Sequence, residues 1–62
     1  MRNVFVTVEL DDELAQALAQ LVKRIGWQEI RGCAADDDEA YAMRDALGRV
    51  RDGLQEKGFA PR

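Results

Sequence analysis

Two apolar stripes at helical spacing, separated by fourteen residues that include two glycines, decide most of what this chain can fold into. In the first, Leu14, Leu18, Leu21, Val22 and Ile25 recur three and four residues apart, with Ala15 and Ala17 on the flanks. That pattern predicts an amphipathic helix whose leucine stripe faces the core. Asp11, Asp12 and Glu13 stand at its start, Lys23 and Arg24 in its last turn and Gly26 just beyond. Acids suit the positive end of the helix dipole, bases the negative end, and glycine the reversal that follows. The second stripe, Ala40, Met43, Leu47, Val50 and Leu54, lies close to heptad spacing. Asp36 is its expected N-cap, and Gly58, Phe59 and Pro61 its expected stop, with Phe59 placed to fold back on Leu54. Helices are therefore predicted over about 11–25 and 37–57, packed against each other.

Between them, Trp27 and Ile30 stand one turn apart while Gly32 argues against a long helix, so residues 27–35 read as a short helical turn and a loop. Trp27 is expected as a lid on the core, its indole N–H reaching solvent or a carbonyl, with a partner hot spot as the alternative, and Cys33 as a small buried hydrophobe. Gly48 and Gly53 each cost about 1 kcal/mol relative to alanine inside a helix, so they are expected to mark a close backbone approach or a bend. At the other end of the chain, Val4-Phe5-Val6-Thr7-Val8 is β-branched and aromatic, with alternate residues on opposite faces. This run predicts a strand, and the fold class is α+β: one N-terminal β-strand followed by two main helices in a single domain, 1–62. A lone strand leaves its ladder groups unpaired, and nothing downstream is an equally good strand. A homodimer pairing the N-terminal strands of two copies supplies the missing partner.

Length sharpens that need. A chain of 62 residues buries only about 60% of the surface its unfolded form exposes, so the core is thin and self-association helps. Nine basic and twelve acidic side chains give a net charge of -3, which disfavours direct nucleic-acid binding and favours basic partners. One cysteine forbids an internal disulfide and fits a reducing compartment, so the cytoplasm is the expected location. No run approaches the roughly 20 apolar residues of a membrane span, and the N-terminal apolar run is too short for a signal peptide.

The chemical inventory excludes most enzyme classes. With no histidine, no serine, one threonine and one cysteine, the chain lacks a nucleophile, base and orienter set, and no catalytic residue or cofactor is expected. Adjacent acids at an exposed helix start lack the separated pKa values of an acid and base pair. Asp36-Asp37-Asp38 fails as a calcium loop: counted from Asp36, Tyr41 stands where the turn glycine belongs and Leu47 where the bidentate glutamate belongs. One cysteine and no histidine rule out a structural zinc site.

The acids remain to be explained. Eight of the twelve fall in two runs, residues 9–13 and 36–39, both at predicted helix starts. They can be caps and dipole partners on a solvated helix end, or a row of carboxylates that imitates phosphates and enters a basic groove on another protein. On the second reading the partner-binding residues are Asp36, Asp37, Asp38 and Glu39, joined by Asp11, Asp12 and Glu13, with Tyr41 as an anchor lying off the apolar seam. An antiparallel helix pair would set residues 36–39 beside Lys23 and Arg24 and cancel part of the field. An extended connection over 26–35 could span about 33 Å and carry the chain back along the first helix.

Two resemblances add to this. A strand followed by two helices resembles the ribbon-helix-helix repressors, which implies a dimeric transcription factor or antitoxin. Against it, only Arg2 is basic on the strand, Glu9 would face phosphate, and the connection between helices is longer than that family's turn. At Leu21-Val22-Lys23-Arg24-Ile25-Gly26-Trp27, at Ala34-Ala35-Asp36-Asp37-Asp38-Glu39-Ala40-Tyr41-Ala42-Met43-Arg44-Asp45-Ala46 and at the ending Gly58-Phe59-Ala60-Pro61-Arg62, the chain resembles small uncharacterised proteobacterial proteins of phages and other mobile elements. It is also similar to the small acidic anti-CRISPR proteins of type I systems, the type I-C group among them. That likeness implies a non-enzymatic inhibitor in a bacterial cytoplasm that binds a type I CRISPR effector complex and blocks its access to DNA.

Overall fold

The computed structural model describes residues 2–59, and in them the chain is all-α: α1 (Asp12–Arg24), α2 (Trp27–Cys33) and α3 (Asp37–Glu56). The α+β expectation is thereby overturned. Residues 2–11 precede α1 without helix or strand pairing, and Phe5 is 94% exposed, with Val4, Val6 and Val8 also open to solvent. Strand propensity expresses fit to a pleated, half-buried surface. Every described neighbour here is a helix whose backbone groups are bonded internally, so the run has no ladder to join.

The helix ends follow their local chemistry. Asp11 caps α1, its side chain accepting the Leu14 N–H at 2.8 Å, and Asp36 caps α3 by accepting the Glu39 N–H at 2.8 Å. Glu39 Oε1 in turn accepts the Ala35 N–H at 2.7 Å, a reciprocal arrangement that satisfies two of the free donors at the α3 start. At the far end, Phe59 N–H reaches the Leu54 carbonyl at 2.9 Å and Gly58 N–H the Gln55 carbonyl at 3.0 Å. Gly58 supplies the left-handed residue that this closing turn requires, at φ 91°.

Gly26 behaves otherwise than expected. Its φ of -99° is not left-handed, and it serves as N-cap of α2, donating its N–H to Glu29 Oε1 at 2.7 Å. The stretch read as a turn and loop is therefore a seven-residue helix. Gly48 and Gly53 mark no close approach either, since a Cβ at either position would meet open space.

α3 is the hub: α1 and α2 each pack on it and not on one another. Among the described residues the buried side chains are Ala15, Ala19, Ile30 and Ala40, the last with no exposed surface at all. The leucine stripe of α1 does not form the core as predicted, because Leu14 and Leu21 remain 54% and 55% exposed. Alanines let helix backbones come close, and the edge of the α1 apolar arc that carries Ala15 and Ala19 is the one turned inward. On α3, Met43, Leu47 and Leu54 of the expected seam are half-buried, and Val50 is exposed. Cys33, expected to be buried, is exposed. No helix among the described residues is long and apolar enough to cross a membrane.

Candidate functional site

The N-cap and first turn of α3 collect four consecutive acids, Asp36 to Glu39, in differing situations. Asp36 and Glu39 hold backbone N–H groups as described, so their positions are fixed while their outer oxygens stay in solvent. Asp37 Oδ1 is 2.7 Å from Arg31 Nε, an ion pair that bridges the end of α2 to the start of α3. Arg31 also donates from Nη1 to the Ala34 carbonyl at 3.2 Å, which ties down the junction between the two helices. Asp38 is exposed and holds no side-chain bond or ion pair among the described residues. Capping does not remove charge, so the cluster keeps four carboxylates against one neighbouring guanidinium.

One turn further along α3 stands Tyr41, 49% exposed, its ring centroid 4.9 Å from that of Trp27 at an interplanar angle of 34°. Arg44 lies over the same tyrosine ring, its guanidinium carbon 5.1 Å from the centroid. Trp27 is 40% exposed, so it is a surface residue of α2 held by Tyr41 and not the expected lid on the core. The stack joins the start of α2 to the second turn of α3 and places Trp, Tyr and Arg side by side. These are the three residue types most enriched where alanine substitution costs binding energy at protein interfaces.

Of the residues predicted to form a partner surface, Asp36, Asp37, Asp38, Glu39 and Tyr41 share the start of α3. Asp11, Asp12 and Glu13 stand apart from them in the chain at the start of α1, Asp11 as its cap and the other two exposed in its first turn. Sequence reasoning missed Arg31 and Arg44 and gave Trp27 another role. Arg44 was findable, since Tyr41 and Arg44 stand three residues apart on one helix face. Trp27 was not, because no periodicity links it to a residue of another helix. The extended connection considered for 26–35 is replaced by α2, and the base beside the acidic cluster is Arg31. Among the described residues, no three acid or cysteine side chains converge where a metal ion could sit.

Fold and surface together define a small three-helix protein with a charged, aromatic face. A family model described as a family of unknown function, DUF7706, matches residues 1–62, and the chain belongs to that family. No curated protein and no solved structure gives a significant match.

Proposed function

We propose that the protein is a non-enzymatic inhibitor that binds a basic nucleic-acid-binding protein and occupies its DNA groove with the acidic start of α3. The observation that carries this reading is the pairing of two features at the N-terminal end of α3: carboxylates held in place by backbone caps, and beside them a half-exposed cluster in which Trp27 of α2 meets Tyr41 and Arg44 of α3. Charge supplies recognition of a basic groove and raises the association rate, and the aromatic stack supplies rigid contact area. Three acids on successive helical residues, Asp37 to Glu39, give about one charge per 1.5 Å of axis, close to the one per 1.7 Å of duplex DNA, and the Asp36 cap adds a fourth. The match extends over a single turn, so the cluster stands in for a few phosphates and the aromatic stack must add the rest of the affinity.

The type I CRISPR effector complex in the bacterial cytoplasm is the partner class this reading favours, on the strength of the sequence likeness to acidic anti-CRISPR proteins. The test is binding of purified type I effector to the protein and to the quadruple variant D36N/D37N/D38N/E39Q. Asparagine and glutamine retain the capping geometry, so the variant should stay folded by circular dichroism and lose binding. Undiminished binding by the folded variant would sink the proposal. A mobility shift of DNA by the protein alone would equally overturn it.

A further inference from the structure

The chain exposes 5354 Å², whereas a compact monomer of 7.0 kDa is expected to expose about 4,000 Å². The excess of about 1,300 Å² exceeds the roughly 800 Å² per partner of a standard protein interface. Much of the apolar share lies in two places, the outer edge of α1 at Leu14 and Leu21, and the segment Val4-Phe5-Val6 with Val8. A third feature is a groove of about 330 Å³ with apolar walls, lined by Ile25, Ile30, Cys33, Met43, Leu47 and Val50. We propose that a second copy of this chain covers the α1 edge in an antiparallel, two-fold crossing, and that each N-terminal segment seats Phe5 in the groove of the other copy.

The charges on α1 fit a copy of itself. A two-fold axis between positions 17 and 18 sets Leu14 against the partner's Leu21, and Leu18 beside the partner's Leu18. Residues 13 and 24 lie on the same flank of this stripe, eleven residues or three turns apart. The crossing therefore brings the Glu13 carboxylate of each copy toward the Arg24 guanidinium of the other, twice by symmetry. Acid at one end of α1 and base at the other make an antiparallel pair attractive and a parallel pair repulsive.

The same crossing explains the apolar N-terminal segment. Helices pack 8–10 Å apart, so the start of α1 in one copy lies beside the end of α1 in the other, where Ile25 opens the groove. The residues just before Asp11 then run directly over that wall. Within one chain the route is much longer: α1 spans about 20 Å, and the six residues from Phe5 to Asp11 reach about 20 Å only when fully extended. No length would be left to turn back along the helix.

Sedimentation equilibrium at micromolar concentration tests the association, with a 14 kDa species expected; a 7.0 kDa monomer at every concentration would overturn the proposal. L21E changes a half-exposed residue, so its helix content should be retained while it sediments as a monomer; a dimer of unchanged affinity refutes the interface. E13K should weaken association about tenfold and E13K/R24E should restore it, whereas failure of the double variant refutes the antiparallel register. For the N-terminal segment, mild oxidation of F5C should give a covalent dimer joined through Cys33, lost in F5C/C33A. A disulfide closed within one chain, or a covalent dimer that persists in F5C/C33A, overturns the seating of Phe5 across the dimer.

Discussion

Replacing Asp36 separates the two roles that the α3 start combines. In Asp36→Ala the hydrogen bond to the Glu39 N–H, 2.8 Å in the native protein, disappears, and the reciprocal Glu39 bond to the Ala35 N–H loses the geometry that supports it. Loss of an N-cap side chain costs about 1 kcal/mol, and loss of a negative charge at the dipole's positive end adds about 0.3–1 kcal/mol. Relief of repulsion from Asp37, Asp38 and Glu39 returns a few tenths of a kcal/mol, for a net loss of about 1–1.5 kcal/mol. In a domain whose total stability is about 3–5 kcal/mol that is a large fraction. With a urea slope of about 1 kcal/mol/M the midpoint should fall by about 1–1.5 M. Asp36→Asn keeps an equally good cap and loses only charge, so its midpoint should move by about 0.5 M or less, and less again at 1 M salt, where screening shortens to about 3 Å. Urea titrations of the three proteins at low and high salt decide the matter. If Asn and Ala destabilise equally, the hydrogen bond is not what holds the start of α3 and the capping account fails.

The glycines inside α3 and just beyond its end predict a change of sign. Gly53→Ala, inside the helix with open space at its Cβ position, should raise the melting temperature by about 4–8 °C for a gain of up to about 1 kcal/mol. Gly58→Ala, at φ 91°, should lower stability by about 1 kcal/mol because a Cβ strains the left-handed residue; a matching gain there would refute the closing turn. Ala40→Leu forces a large side chain into a site with no exposed surface and should cost about 1–3 kcal/mol in chemical denaturation, whereas Ala42→Leu on the exposed side of the same helix should cost less than about 0.5 kcal/mol.

How much of this was legible in the sequence depends on whether the deciding interaction was local. The starts of α1 and α3 were readable because Asp11 and Asp36 bond to donors three residues away, and the closing turn at Gly58 because it spans six residues, Leu54 to Phe59. The segment at 4–8 was misread because its preference for strand can be expressed only against a partner strand, and the described chain has none. The leucine stripe misled for another reason. Placed at 100° per residue, the apolar arc of α1 runs from Ala17 through Leu21, Leu14, Leu18 and Val22 to Ala15 and Ala19, about 200° in all, while one helical neighbour covers about half of that. Periodicity locates the arc but not which half is covered. The fit of α3 against the small side chains decides it. The Trp27–Tyr41 contact was invisible because it joins two helices whose relative placement no short-range pattern encodes.

The width of that arc also bears on the two acidic runs, which the sequence presents as a single theme. If a second copy covers the outer edge of α1, Glu13 faces Arg24 of the other copy, and the acids at the α1 start become part of self-recognition. Asp36, Asp37, Asp38 and Glu39 stand on another helix, beside Tyr41, and keep their outward charge for a foreign partner. A dimer would then display two such surfaces related by the two-fold axis. Two linked contacts raise overall affinity without any new interaction at either one, provided the partner's basic sites match their separation. The variants already described measure this coupling: E13K should weaken partner binding only by disrupting the dimer, and E13K/R24E should restore both together. Restoration of the dimer without restoration of partner binding would show that Glu13 touches the partner directly, and the division of labour between the two runs would be wrong.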